Sequence, residues 1–478
     1  MATPLETSPE VDRFSNLPNE IAHHLLSLLS FKDFTRVGCV SKRCRRLHLS
    51  APSIKFCEFS DVTNISSCDV HKRLLDSFDR FLNQRGDNKI RSFHFSWCFR
   101  SLSGILEDEG MPNCYCDDIR LNAWIDNAVR CNVEVVQIVN SAPDWYHRLP
   151  SSLLLCQSLR SLLVDGKAYI GREVTSSTFS NLEYLELKNV MIENDKEFWK
   201  WVSYSCKCIK DLHLEGVSGG KDIIIDSSSL ESFSFKSLFI HSARADSCNL
   251  NISGDRLEKI NIKRVARDSS IMISAPNLKR LCCHGSFARQ HNFGELPCLE
   301  IADISADSFF NKVNHLALFG LLCSIPRVEV LILSEPIVKA VLEQGFMSVQ
   351  LDCVRYLRLI HLVLTDDLIP ALIALLGVMP NLSCLYIKSM PTTRCEESNC
   401  AGFDMEFWKV QNLAFIDKIK EVTLDICHGS NVLEFARYIL EHAQNLEKVV
   451  LYHFPDQCDD VKKLQSQMIS NPIVLLHQ

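Results

Sequence analysis

One short pattern, apolar-x-x-apolar-x-apolar, recurs along most of this chain and leaves few folds open to it. It reads Ile90/Phe93/Phe95, Val133/Val136/Ile138, Leu159/Leu162/Val164, Leu182/Leu185/Leu187, Ile209/Leu212/Leu214, Leu230/Phe233/Phe235 and Leu257/Ile260/Ile262. It continues through Leu278/Leu281/Cys283, Leu299/Ala302/Ile304, Val328/Leu331/Leu333, Val354/Leu357/Leu359, Leu382/Leu385/Ile387, Ile419/Val422/Leu424 and Leu446/Val449/Leu451. From Val133 onward most successive starts lie 21 to 29 residues apart, with longer steps of 43 residues after Ile90 and 37 after Leu382. One hit means little in a chain that is 46% apolar, but fourteen at consistent spacing mark a repeat. Each unit reads as a period-2 strand with inward residues, then a return segment that closes one turn of a solenoid.

The repeat length suits a leucine-rich-repeat coil. Several units are entered through Pro, Asn or Cys, as in Ala275-Pro276-Asn277-Leu278 and Met379-Pro380-Asn381-Leu382. Some returns carry helical spacing, notably Asp195–Ser205 and Leu368–Val378, where apolar residues recur at intervals of three and four. Val313/Leu316/Leu318 fits the strand pattern but starts too close to its neighbours, and reads as a return helix.

The 478 residues could hold about three ordinary domains or one long array. A formal net charge of −7 argues against a nucleic-acid grip as the main activity. The 22 cysteines would suggest a disulfide framework in a secreted chain. The first residues, MATPLETSPEVDRF, carry acids where a signal peptide needs basic residues and then an apolar run. The longest apolar attempt, His315–Ile325, falls short of the roughly 18 residues of a membrane span. The expectation is therefore a chain of the nucleus or cytoplasm, neither secreted nor in a membrane, whose cysteines are reduced core thiols.

No complete catalytic set is found: there is no phosphate-binding Gly-x-x-x-x-Gly-Lys and no His-Glu-x-x-His. Cys114-x-Cys116, Cys206-x-Cys208 and Cys395-x4-Cys400 approach metal spacing, yet none has a second ligand pair, so no metal or cofactor is expected. The acidic stretch Glu107-Asp108-Glu109, with Asp117-Asp118 beyond it, reads as a solvated loop.

Residues 14–49 stand outside the repeat. Leu17-Pro18-Asn19-Glu20-Ile21 reads as a helix start, capped by Asn16 or Ser15, with apolar residues following at Ile21, Leu25, Leu28 and Leu29. A break around Ser30–Lys32 leads to a second helix over Asp33–Val40, and Ser41 opens a third. Lys42, Arg43, Arg45 and Arg46 read as the polar face of that third helix, with a nuclear-import signal as the alternative. Three short helices bury little surface alone, so part of their apolar face should meet a partner.

This segment, FSNLPNEIAHHLLSLLSFKDFTRVGCVSKRCRRLHLS, resembles an F-box: a Leu-Pro-x-Glu-Ile start, a Leu-rich first helix and a later Val-x-Ser-Lys-Arg-Trp. Cys44 stands where that family usually has Trp, and Phe31 where plant members often have Pro. RCNVEVVQIV and LPSSLLLCQSLRSLLV resemble the first repeats of plant F-box/leucine-rich-repeat proteins, and residues 403–451 resemble the FBD region that often ends them. The resemblance implies an α/β chain. Residues 1–11 would be a disordered amino terminus, and residues 12–52 an all-α three-helix F-box. A leucine-rich-repeat solenoid over 53–387, with a strand plus a helix or irregular return per repeat, would lead to FBD-like repeats over 388–455 and a tail over 456–478. It implies a non-enzymatic substrate adaptor of a Skp–cullin–F-box (SCF) ubiquitin ligase. The F-box would bind the Skp-family linker and through it cullin, while the solenoid holds an unidentified target protein. The residues implied in the linker contact are Leu17, Pro18, Ile21, Leu25, Leu28, Val40 and Leu47, some of which also serve the module's own core. Two other readings stay open: an interaction scaffold whose F-box has weakened, and a small-molecule-dependent receptor of the same architecture.

Overall fold

The computed structural model describes residue 14 and residues 16–57, 68–97, 115–140, 146–172, 180–220, 222–237, 248–265, 269–285, 290–306, 315–343, 350–389, 403–411, 413–426, 431–453 and 473–477. The chain divides into two compact units, Met1–Gly220 and Lys221–Gln478. The expectations for residues 1–11, Glu107–Glu109, Cys114 and the Cys395/Cys400 pair lie outside the described residues.

The first unit opens with three short helices: α1 (Asn19–Ser27), α2 (Phe31–Gly38) and α3 (Lys42–Ser50). Pro18, not Asn16, stands at the start of α1, and no side chain caps it. Helix α2 begins two residues earlier than expected because the Ser30 hydroxyl accepts the Asp33 N–H at 3.2 Å. Ser41 caps α3 in the same way, accepting from the Cys44 N–H at 3.1 Å.

Next come β1 (Ser53–Cys57), α4 (Cys68–Arg85), β2 (Ser92–Trp97), α5 (Tyr115–Arg130), β3 (Val135–Asn140), β4 (His147–Arg148) and α6 (Ser151–Leu154). They are followed by β5 (Ser161–Ile170), β6 (Tyr184–Ile192), α7 (Asp195–Lys200) with a π-helical continuation over Trp201–Ser205, and β7 (Asp211–Glu215). Strands β1-β2-β3-β5-β6-β7 pair in parallel in that order, and β4 pairs with the second half of β5. Asp118, placed by sequence beside a solvated loop, lies instead on α5, where its Oδ1 is 2.7 Å from Nδ1 of the buried His147.

The second unit holds β8 (Asp222–Asp226), β9 (Ser232–Lys236), β10 (Asn249–Ser253), β11 (Lys259–Lys263), β12 (Ser270–Ser274), β13 (Arg280–His284), β14 (Gln290–Asn292) and β15 (Ile301–Ser305). It continues with α8 (His315–Cys323), β16 (Val330–Ser334), α9 (Glu335–Glu343), β17 (Tyr356–Ile360), α10 (Ile369–Gly377) and β18 (Cys384–Lys388). Last come α11 (Met405–Val410), β19 (Glu421–Ile426), α12 (Val432–His442), β20 (Lys448–His453) and β21 (Ile473–His477). One parallel sheet runs β9-β11-β13-β15-β16-β17-β18-β19-β20-β21. A second runs β8-β10-β12-β14.

Every strand triad read from the sequence is inward. None of its side chains is more than 6% exposed, and successive triads sit opposite one another, as in Leu162↔Leu185↔Leu212 and Leu331↔Leu357↔Leu385. Two strands extend the stack of triads, one ahead of the first triad and one after the last. Strand β1 adds a rung in which Ile54 and Phe56 stand opposite Phe93 and Phe95. Strand β21 adds another, with Val474 opposite Val449.

The returns also differ from a simple strand-plus-helix repeat. Around β8, β10, β12 and β14 the chain returns through a second strand. Steps of 21 residues, as from Leu257 to Leu278 to Leu299, hold two short strands and two turns and leave no room for a helix. Longer steps of 26 to 29 residues after Leu299, Val328 and Val354 hold α8, α9 and α10.

Candidate functional site

The amino-terminal helices pack on the first coil instead of standing apart. Phe31, at the start of α2, lies 5.3 Å from the Phe56 ring of β1 and 5.1 Å from Phe78 of α4. Phe34 meets Phe81 edge-on at 5.4 Å, and Trp124 of α5 meets Phe78 at 4.8 Å. Burial of these rings and their edge-to-face geometry hold the helices to the repeats. The buried Arg85 guanidinium then fixes the junction, donating to the carbonyls of Ala51 at 2.9 Å and of Asn88 and Lys89 at 3.0 Å. Arg43, expected on a polar face, donates to the Leu17 carbonyl at 2.7 Å and so ties α3 to the entry of α1.

With that inner side committed, an apolar outer side remains. On α1, Ala22 and Leu26 are buried while Ile21 is 50% exposed, Leu25 41% and Leu28 71%. Spacings of four and three residues put these three on one face. Val40, in the turn before α3, is 74% exposed, Pro18 is exposed and Leu17 is half-buried. Leu47 is different: at 3% exposure it is part of the interior. Cys44 is interior too, at 4%, so the residue that replaces the usual Trp does not stand on the exposed face.

The outward positions of the strands form a second kind of surface, which the sequence pattern alone did not single out. In the first unit, β5, β6 and β7 present Asp165, Lys188 and Glu215 in one register row, so opposite charges face each other. Lys188 Nζ also lies 2.6 Å from Glu186 Oε1, and Tyr184 donates to the other Glu186 oxygen. Burial of the Tyr184 phenol and its bond to Glu186 raise its pKa, and burial likewise raises that of Asp165. In the second unit, β9, β11 and β13 present Ser232, Ser234, Lys236, Lys259, Asn261, Lys263, Arg280, Cys282 and His284, with no carboxylate among them.

Several described thiols are held in their protonated form by burial. Burial pushes Cys206 and Cys248 up to about 12 and Cys384 up to about 11, and Cys283 is raised further. Such groups stay protonated and poorly nucleophilic at neutral pH. Among the described residues no group of His, Cys, Asp and Glu is placed to hold a metal, and no helix is long and apolar enough to cross a membrane.

Comparison with known proteins agrees with this division. Residues 14–47 match the F-box domain family. Residues 121–318 match the family described as FBD-associated F-box protein At5g56370, LRR repeats. The chain is 24% identical over 474 residues to the putative F-box/FBD/LRR-repeat protein At4g03220 of Arabidopsis thaliana, covering 92% of this chain and 89% of that one. It is 22% identical over 464 residues to the putative F-box/FBD/LRR-repeat protein At5g22610 of the same plant, covering 92% and 83%. Helices that expose an apolar face, followed by parallel-strand coils, are thus an F-box and leucine-rich repeats of the kind found in plant F-box/FBD/LRR-repeat proteins.

Proposed function

We propose that this protein is the substrate-recognition subunit of an SCF ubiquitin ligase. In this reading the outer face of α1 and the α2–α3 turn, formed by Leu17, Pro18, Ile21, Leu25, Leu28 and Val40, docks on a Skp-family linker and through it on cullin. The outward strand positions hold a target protein. The observation that carries the reading is that four large apolar side chains, Ile21, Leu25, Leu28 and Val40, stand exposed within twenty residues of a segment that matches an F-box. An apolar patch of this kind marks a protein contact. Leu47 supports the site from the interior.

The chain's own contribution is positional. Holding a target lysine near a ubiquitin thioester raises its effective concentration without any catalytic group from this protein. A scaffold with a weakened F-box was suggested by the absence of Trp at position 44. Cys44 is interior here, and the exposed apolar face is formed by other residues. The free thiols among the described residues suit a reducing compartment, the nucleus or cytoplasm.

Affinity purification from cells, with and without proteasome inhibition, tests the adaptor reading. Linker and cullin should co-purify under both conditions, and at least one further protein should accumulate on the bait only when the proteasome is blocked. Recovery of the chain without linker or cullin would remove the proposal.

A further inference from the structure

The two units treat charge on their outward strand faces in opposite ways. In the first, Asp165, Lys188 and Glu215 alternate in sign along one register row. In the second, Lys259 stands directly opposite Arg280, and Lys236 directly opposite Lys263. Like charges opposed across a strand pair destabilise the sheet. Among the described residues, no ion pair joins Lys259, Lys263 or Arg280 to a carboxylate. The next strand brings one acid, Asp303, and it lies 2.9 Å from His284. Four strands on from β11, Arg358 of β17 is likewise without an ion pair among the described residues. Its guanidinium lies 4.7 Å from the centre of the Tyr386 ring, with Ile332 opposite it on β16. In a chain whose net charge is −7, Lys259, Lys263 and Arg280 thus gather on one face with no ion pair to a carboxylate among the described residues.

We propose that the outward face of β9, β11 and β13 binds a carboxylate-rich segment of a protein partner, with Lys259, Lys263 and Arg280 as its main contacts. The segment runs across the strands, and Arg358 takes a further carboxylate beside the apolar Ile332 and Tyr386. Binding relieves the repulsion between opposed cations, so affinity comes from the gap in charge pairing as well as from new contacts. The proposal rests on the adaptor reading only in identifying the partner with the ubiquitination target. Recognition of nucleic acid by the same cations is the competing outcome.

The test uses the full chain co-purified with its linker and a fluorescein-labelled oligoglutamate peptide, with oligothymidylate as the competing probe. Anisotropy should show peptide binding that weakens as salt rises. The double change Lys259→Glu with Arg280→Glu should weaken it at least about tenfold, which corresponds to about 1.4 kcal/mol. Lys259→Gln with Arg280→Gln should act in the same direction, and it covers the case in which charge reversal disturbs the coil. Absence of peptide binding, binding indifferent to both double variants, or tighter binding of oligothymidylate would each overturn the proposal. Linker retention is read in the same preparation. If the linker stays and the peptide does not bind, only this inference falls. If the linker is lost while the peptide binds, the adaptor reading falls and this one stands.

Discussion

At the scale of single residues, the inward triads and the positions between them should behave differently. Leu185 and Leu212 are fully buried and stacked in register, so Leu185→Ala should cost about 2–5 kcal/mol through lost burial and a residual cavity. Lys210→Ala, at an exposed turn position, should change stability by less than about 0.5 kcal/mol. Thermal melts of the two variants measure the contrast, and equal melting temperatures would deny the inward assignment. His48 gives a second prediction. It is wedged between the Phe34 and Phe81 rings, and burial, with Arg45 and Arg85 nearby, holds its pKa down at about 4. Between pH 6.5 and 4 the unfolded chain therefore takes a proton that the folded chain refuses. Stability from this group is complete above pH 6.5 and falls as pH drops towards 4. A pH series of melts should show that fall, and His48→Leu should flatten part of it. The triads were legible in the sequence because burial selects apolar residues at fixed spacing whatever lies around them. The outward cations were not, because Lys259 and Arg280 become neighbours only once the register of β11 and β13 is known.

At the scale of elements, the shortest steps leave room only for a second strand, while α8, α9 and α10 sit in longer ones. Helix α12 spans Val432–His442 within the FBD-like region, and the run around Leu316, which reads as a return helix, forms α8. The second sheet is hidden in the sequence because segments such as Asp222–Asp226 and Ser270–Ser274 lack the leading apolar residue of the repeat pattern. Their alternating burial shows them to be strands with one face in the core. The asparagines that enter several triads have a definite task. Asn181, Asn277, Asn381 and Asn445 each donate from Nδ2 to a backbone carbonyl of the preceding coil, at 2.8, 2.7, 2.8 and 2.6 Å. Strand β5 bends at a register shift between Asp165 and Ala168, where Gly166 has φ +129° and a Cβ would come within 2.0 Å of the Asn140 carbonyl oxygen. Gly166→Ala should therefore destabilise the first unit by more than about 1 kcal/mol, read as a lower urea midpoint. An unchanged midpoint would mean that the backbone there relaxes freely.

At the scale of whole units, the resemblance to an F-box implies a module over residues 12–52, and an aromatic cluster joins that segment to the first coil. Phe31 and Phe34 belong to the same core as Phe56, Phe78 and Phe81, and Arg85 bonds across the junction. Sequence could not show this, since the contacts join residues more than twenty apart and no periodicity links them. Phe31, the departure from the usual Pro, is the aromatic that seats α2 on the first coil. This mounting leaves Ile21, Leu25, Leu28 and Val40 outward on a rigid base. The measurement that bears most directly on their role is calorimetric titration of a purified Skp-family linker into the full chain, compared with the variant Leu25→Asp with Leu28→Asp. Both leucines are exposed, so the variant should melt with the wild type while losing at least about a hundredfold in affinity, roughly 2.7 kcal/mol. Equal affinity for the linker in the two proteins would contradict the claim that this face is the docking surface.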